Sequence, residues 1–428
     1  MTQTNDTTRR GFLQAGTTAA VTSALFATGA HAAGGDEVRV GIIGCGGRGT
    51  GAGHDVLRAA EGVKIVALGD AFEDRLNGCR RTLEGVVRDG DVMKGNSVDV
   101  EGRCFVGLNA YKSVIETGAN YIILATPPGF RHLHIDAAVK AGKNVFTEKP
   151  VAVDGPGVRL VLEAYELARK KKLGIAAGTQ RRHQSGYLEV MKRIHGGEIG
   201  EFAGGACYWM QGILWSNPRK KEWTDLQYQM RNWYNFTWLC GDHIVEQHVH
   251  NIDIMNWAAQ AHPERAIGTG FRTRTDPDYG HIYDFFAVDY IYPNGAHVVS
   301  MCRQISRCYD SVSEEVNGTK GNARTRDRSR YDVNGKRVFD PRKDNKPYIQ
   351  EHTDLIESIR KGEPINELKN VAESTLTAIM GRMSAYTGQS ITWEQALNSK
   401  QVLMPEGLSW DMKLPEPAVA VPGKTKFF

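Results

Sequence analysis

From residue 38 to about 150, short runs of buried-type residues alternate with stretches of helical period. Strands are expected at Val38–Ile43, Lys64–Leu68, Tyr121–Ala125 and Asn144–Phe146. Runs that are apolar throughout, rather than at every second residue, suit strands covered on both faces, and their alternation with helices predicts a parallel α/β sheet. The polar, glycine-rich stretch 85–102 reads as a surface excursion between helices. Val158–Lys172 is amphipathic and helical, and a strand should follow at Leu173–Ala177.

Beyond residue 200 the period changes to two. Alternating runs occur at Ala203–Gln211, Ala266–Thr273, Phe285–Tyr292 and Ala296–Cys302, and Asn294-Gly295 between the last two is a strong hairpin signal. This part should form a mainly antiparallel, open sheet. Helical patterns return at Ile349–Arg360 and Val371–Thr387, and the proline-bearing tail from Pro405 reads as an extended arm. The expected layout is a leader over 1–33, a dinucleotide-binding α/β domain over 34–153, an α+β substrate and oligomerisation domain over 154–404, whose helices could pack back on the first, and the arm over 405–428.

The first strand runs into Gly44-Cys-Gly46-Gly47-Arg48-Gly49, a G-x-G-x-x-G loop. Gly44 would make the tight turn, Gly46 would let backbone approach a pyrophosphate, and Gly49 would let helix and strand pack closely. Gly47 and Arg48 open the helix whose free N–H groups would face the phosphates. Asp70 ends the second strand 26 residues after Gly44, slightly past the usual spacing of about 20. A carboxylate there accepts ribose hydroxyls and repels a 2′-phosphate, which favours NAD. Arg48 and Arg75 keep NADP open, and a helix cap is the alternative role for Asp70.

The leader changes the setting. Arg9-Arg10-Gly11-Phe12-Leu13, a mildly apolar stretch from Ala15 to Ala27 and Ala30-His31-Ala32 read in order as a twin-arginine export signal. That route carries folded proteins, so a cytosolic nucleotide can be loaded before export to the periplasm or beyond, and should stay bound there. The leader is too rich in Thr, Gly and Ser for a membrane span, which needs about 20 strongly apolar residues. A net charge of +4 on 428 residues, with no long Lys/Arg block, makes nucleic acid an improbable partner. The seven cysteines are scattered, with Cys302 and Cys308 the nearest pair, and read mostly as buried free thiols.

Ala125-Thr126-Pro127-Pro128 closes the third expected strand, and Thr147-Glu148-Lys149-Pro150 closes the fourth. The glycine loop, the Thr-Pro turn and Glu-Lys-Pro, in this order, resemble the Gfo/Idh/MocA oxidoreductases, which include glucose–fructose oxidoreductase and inositol dehydrogenase. The resemblance runs from about residue 38 to 395. It implies that Thr126, Pro127 and Glu148 belong to the cofactor site, that Lys149 contacts both nicotinamide and substrate, and that a cis peptide precedes Pro150. The family's second signature is matched by Glu246-Gln-His248-Val-His250-Asn-Ile-Asp253. His250 falls on the family's catalytic histidine and Glu246 where many members have Asp. His248 stands where many have Gly, so its role is open. On one helix 243, 246, 250 and 253 would share a face. A rival reading makes His243, Glu246 and His250 metal ligands; hydride transfer by a lysine and a histidine needs no metal, so none is expected.

Two features point to a carbohydrate. Five of the eight tryptophans (Trp209, Trp215, Trp223, Trp233 and Trp238) crowd into one stretch, suited to stacking on a sugar ring or to an oligomer contact. Arg181, Arg182 and His183 follow a strand at the domain junction and could bind hydroxyls together with Trp209; an inter-domain ion-pair cluster is the alternative. The resulting expectation is an exported, homo-oligomeric enzyme that moves hydride between a sugar ring carbon and tightly bound NAD, with Lys149, His250 and Glu246 at the reacting centre. The alternative is an NAD-dependent glycosidase acting by transient C3 oxidation, elimination and water addition.

Overall fold

The computed structural model describes residues 37–427. The expected twin-arginine leader lies outside them. Seven strands build the first sheet: β1 (Val38–Ile43), β2 (Val63–Asp70), β3 (Ser97–Val98), β4 (Cys104–Val106), β5 (Tyr121–Leu124), β6 (Asn144–Thr147) and β7 (Ile175–Ala177). They pair in the order β3-β2-β1-β5-β6-β7, with β4 also on β2, and every pairing is parallel. The inner strands are buried on both faces, as their unbroken apolar runs require. Helices α1 (Gly47–Ala59), α2 (Glu73–Arg88), α3 (Ala110–Glu116), α4 (Pro128–Lys140) and α5 (Gly155–Lys171) make the crossovers. The stretch 85–102 is more than an excursion: α2 runs through it to Arg88, and β3 pairs with the edge of β2. The sheet also draws on chain past residue 153, because β7 pairs with β6.

The second sheet has nine strands: β8 (Phe202–Gln211), β9 (Arg265–Phe271), β10 (Phe285–Ile291), β11 (His297–Gln304), β12 (Ser311–Gly318), β13 (Gly321–Arg326), β14 (Arg330–Val333), β15 (Lys336–Arg337) and β16 (Ile391–Thr392). Their order is β15-β14-β13-β12-β8-β11-β10-β9-β16. All neighbours are antiparallel except β8 with β11. Asn294-Gly295 makes the β10–β11 hairpin, with Gly295 at φ 77° and the Tyr292 N–H bonded to the Ala296 carbonyl. β10 alternates buried and half-buried along its whole length, so one face is core and the other is open. The core face is covered by the helix Leu368–Thr387, which also packs on α5. The helix Pro347–Arg360 returns to α1, where the Thr353 hydroxyl bonds the Ala59 carbonyl.

The arm beyond Pro405 has neither helix nor strand, yet it packs on other elements: Leu408, Trp410, Met412 and Leu414 join a cluster with Phe72, Phe130 and Trp233. All seven cysteines are unpaired, and only Cys308 is exposed. Among the described residues no helix is long and apolar enough to cross a membrane.

Candidate active site

The glycine loop has the geometry that a dinucleotide needs. Gly44 sits at φ +94°, where a side chain would also meet the backbone of Ala125 at 2.6 Å. A Cβ on Gly49 would stand 1.8 Å from the Gly44 carbonyl oxygen, so α1 can start this close to β1 only with glycine there. In front of Gly46 and Gly47 nothing lies within 4 Å of a built Cβ, which leaves their backbone open to a ligand. The first turn of α1 carries no acidic residue and no side-chain cap, so its free N–H groups suit a phosphate.

These groups border a cavity of about 480 Å³ whose lining includes Gly44, Asp70, Thr126 and Pro127. Asp70 accepts the Cys45 N–H at 2.6 Å and the Phe72 N–H at 2.8 Å. It therefore fastens the glycine loop to the end of β2 instead of capping a helix, and each oxygen keeps a lone pair. Burial raises its pKa, against the lowering effect of the two N–H donors. Arg48 also lines the cavity, but its guanidinium is taken up by Glu148 at 2.6 Å and Asp55 at 3.2 Å. Arg75 lines it with no hydrogen-bond or ion-pair partner among the described residues, and so is the remaining candidate for a 2′-phosphate.

Lys149, Glu246 and His250 do not line this cavity; they form a buried group linked to it through Arg48 and Glu148. Lys149 follows β6 and enters a cis bond to Pro150. Arg131 of α4 donates to the carbonyls of both residues and so holds that turn. The Lys149 ammonium donates to the Glu246 carbonyl at 2.5 Å and to Glu246 Oε1 at 3.1 Å, which leaves one N–H unspent. Glu246 Oε2 accepts from the Gln247 amide at 2.7 Å.

His250 is 7% exposed, and its ring lies 5.7 Å from that of Trp209 at an interplanar angle of 21°. The imidazole has no hydrogen-bond partner among the described residues. Burial, with Lys149 and Arg181 nearby, pulls its pKa well below the ordinary value, so it is a neutral ring with an available acceptor nitrogen.

The segment 243–253 is not the single helix its spacing suggests. His243–Glu246 is one short helix, Gln247 and His248 break it, and Val249–Ala259 is the next. Asp242 sets the first piece. It adopts φ 73°, ψ 163°, a region few non-glycine residues occupy. Its carboxylate accepts the His243 N–H (2.6 Å), the Tyr283 N–H (2.8 Å) and the Tyr386 hydroxyl (2.5 Å), and its Oδ1 lies 3.0 Å from His243 Nδ1. His243 is thereby held away from a ligand role, and among the described residues no three His, Cys, Asp or Glu side chains converge as for a metal. His248 is a core residue: its Nε2 pairs with Ser300 at 2.7 Å, and burial pulls its pKa down to about 3.

Arg181, Arg182 and His183 form the ion-pair cluster rather than a free hydroxyl-binding surface. Arg181 pairs with Glu314 at 2.6 Å, and Arg182 grips Asp253 with two bonds of 2.8 and 2.9 Å. His183 lies between Asp354 at 2.6 Å and Glu367 at 3.2 Å. Burial opposes its charge, but these two carboxylates push its pKa up to about 10. The tryptophans also divide. Trp209 attends His250, Trp215 and Trp233 line the nucleotide cavity, Trp238 is buried on Gln229, and Trp223 flanks Arg231. Trp215 and Trp233 were marked only by the tryptophan cluster, while Arg131, Asp242 and Asn217 carry no local sequence signal and are brought in by tertiary packing alone.

Residues 38–179 match the model of an oxidoreductase family with an NAD-binding Rossmann fold, and residues 187–324 match the GFO/IDH/MocA C-terminal domain. The chain belongs to the Gfo/Idh/MocA oxidoreductase family. Inositol 2-dehydrogenase 3 of Saccharopolyspora erythraea is 34% identical over 164 residues, covering 38% of this chain and 42% of the relative. An inositol 2-dehydrogenase of Gluconacetobacter diazotrophicus is 32% identical over 162 residues, again 38% and 42%. The chain thus spans less than half the length of these curated relatives. Scyllo-inositol dehydrogenase of Lactobacillus casei, solved with NAD(H) and scyllo-inositol, superposes with TM-score 0.63 at 16% identity over 83% of this chain and 99% of that one. Levoglucosan dehydrogenase in complex with NADH and levoglucosan gives 0.63 at 15%, over the same shares. At such identities the likeness is one of fold.

Proposed function

We propose that this protein is an NAD-dependent oxidoreductase acting on a secondary hydroxyl of a cyclic polyol or sugar. The observation that carries the reading is the unspent capacity at one buried place: a lysine with a free N–H beside a neutral histidine with no partner. The inositol and levoglucosan dehydrogenases it resembles support the substrate class.

Bound NAD would supply a hydride acceptor. His250 takes the hydroxyl proton as the ring C–H bond breaks. Lys149 donates to the same oxygen and steadies it as it becomes a carbonyl. Glu246 aims the ammonium, and Trp209 backs the imidazole and offers an apolar face to the ring. Gly44, Gly46, Gly47 and Gly49 would hold the pyrophosphate, and Asp70 the ribose hydroxyls. Arg181, Arg182 and His183 keep β7, the second sheet and the helices from residue 347 in register behind the site.

The Arg9-Arg10 leader supports export by the twin-arginine route with nucleotide already bound. A resident nucleotide must be reoxidised in place, so each turnover ends with hydride passing to a second carbonyl compound. The open face of the second sheet, with Ile267, Phe271 and Val299 exposed, suits contact with another copy of the chain.

The test is a panel of inositols, anhydrosugars and pyranoses mixed with purified protein, with nicotinamide absorbance as readout. Reduction of the nucleotide by at least one polyol supports the reading. Release of aglycone from a nitrophenyl glycoside without added NAD and without net reduction would assign the redox-neutral glycosidase instead.

A further inference from the structure

The cavity above the glycine loop has two walls, and only one belongs to the parallel sheet. The other is made by Trp215, Asn217, Met230, Arg231 and Trp233, which lie between β8 and the Glu246 segment. Arg231 fixes this second wall to the first domain. Its guanidinium forms a two-bonded ion pair with Asp74 of α2 at 2.7 and 3.0 Å. It also stacks 4.0 Å above the Phe72 ring and 5.3 Å from Trp223. Phe72 stands two residues after Asp70, and its N–H is held by the Asp70 carboxylate. The latch therefore closes beside the position that would take the ribose.

The C-terminal arm braces the wall from outside. Trp410 packs on Phe72 with centroids 5.5 Å apart. The Leu414 N–H bonds Asp225 at 3.1 Å, and Gln229 donates to the Leu414 carbonyl at 2.9 Å. Just ahead of the arm, the Leu403 N–H is tied to Asp154 at 2.9 Å.

We infer that residues 215–233, latched by Arg231 to Asp74 and braced by the arm, are the retaining wall of an adenine-dinucleotide site. This rests on the reading of the cavity as the NAD site. Aromatic and apolar surface from Trp215, Met230 and Trp233 suits a nucleobase and its ribose, while the helix end opposite supplies the phosphate donors. The wall covers one side of the cavity, so the nucleotide leaves faster when the wall moves, and wall movement requires the Arg231 guanidinium to leave both its carboxylate and its two rings. The dinucleotide then behaves as a resident group.

The experiment is displacement of NADH from the loaded full-length protein by excess NAD, followed by NADH fluorescence in a stopped-flow instrument. Arg231→Ala should raise the release rate about tenfold or more, since interface changes act mainly on dissociation. Asp74→Asn, at an exposed carboxylate whose loss leaves the fold intact, should raise it severalfold, and the double variant should release no faster than Arg231→Ala because both changes open one latch. Wild-type release rates in both single variants, with thermal midpoints unchanged, would overturn the inference while leaving the NAD site in place. Absence of any NADH binding to the wild-type protein would overturn the functional reading itself.

Discussion

Two polar clusters sit where the parallel sheet meets the open one, and they differ in how far their hydrogen-bonding capacity is spent. In Arg181–Arg182–His183 every side chain has a carboxylate partner within 3.2 Å. In Lys149–Glu246–His250 one ammonium N–H and the whole imidazole are left over. The two histidines are pushed in opposite directions, His183 up to about 10 and His250 well below its ordinary value. A buried charge held by a carboxylate serves the fold. A buried group that is desolvated and unpaired has paid a cost that only a ligand can return.

The comparison breaks first at His250. His250→Ala should lower kcat by about two to four powers of ten, the usual worth of a positioned acid–base group. Because the ring has no hydrogen-bond partner, the thermal midpoint and bound nucleotide should persist. Lys149→Met should lower kcat comparably, but it also strips Glu246 of its cation and so lowers the midpoint. Near wild-type turnover in either variant would remove that residue from the mechanism.

The opposite signature belongs to the paired cluster. Asp253→Ala leaves the Arg182 guanidinium buried without its carboxylate and frees the Ser374 hydroxyl, which donates to Asp253 at 2.7 Å. Loss of one partner from such a pair costs about 3–5 kcal/mol. Urea unfolding should show the drop. A loss of turnover with unchanged unfolding would move this pair into the site.

The glycine loop and Glu-Lys-Pro were legible because each needs a fixed local order: Gly49 must be small to clear the Gly44 carbonyl, and Lys149 must follow the end of a buried strand. The strand pattern of the open sheet was legible as far as β11, where apolar and polar residues alternate cleanly. It was not legible from β12 onward, where inward positions carry polar residues such as Glu314, satisfied by the distant Arg181 and Tyr187, and Thr325, which donates to Glu314 from the neighbouring strand. The same cause hid the role of Arg181 and Arg182. Their carboxylates lie 133 and 71 residues away along the chain, so nothing nearby marks them as spent. The break at Gln247–His248 was equally hidden, since helical spacing shows which residues can share a face and cannot show that Asp242 and Tyr386 fix a separate short turn.

Acidity should sharpen the contrast between the histidines. His183 has a raised pKa, so its contribution to stability is complete below the ordinary histidine value near 6.5 and fades as pH rises through about 10. Stability should fall across that window in wild type and stay flatter in His183→Gln, by urea midpoints at several pH values. His250 has a lowered pKa and stays neutral through mild acid, so the acid limb of kcat should lie below 6.5. A limb at or above 6.5 would mean that the base lies elsewhere.

The smallest effect is expected at Asp70, which serves both fold and ligand. Asp70→Asn keeps acceptors for one of the two loop N–H groups but removes the charge facing a 2′-phosphate. NAD should weaken by about tenfold, the scale of one hydrogen bond to a charged group, and NADP should gain relative to it through Arg75. A wild-type protein that already prefers NADP would instead make Arg75 the governing residue.

The central claim is that unspent groups at Lys149 and His250, next to a resident nucleotide, perform the hydride chemistry. It is tested most directly by a single-turnover experiment in which NAD-loaded wild type and NAD-loaded His250→Ala are each mixed with the polyol that best reduces the wild type. The account predicts a full burst of NADH absorbance in the wild type and a burst slowed by at least about a hundredfold in the variant, at equal nucleotide content. Equal burst rates in the two proteins would contradict it.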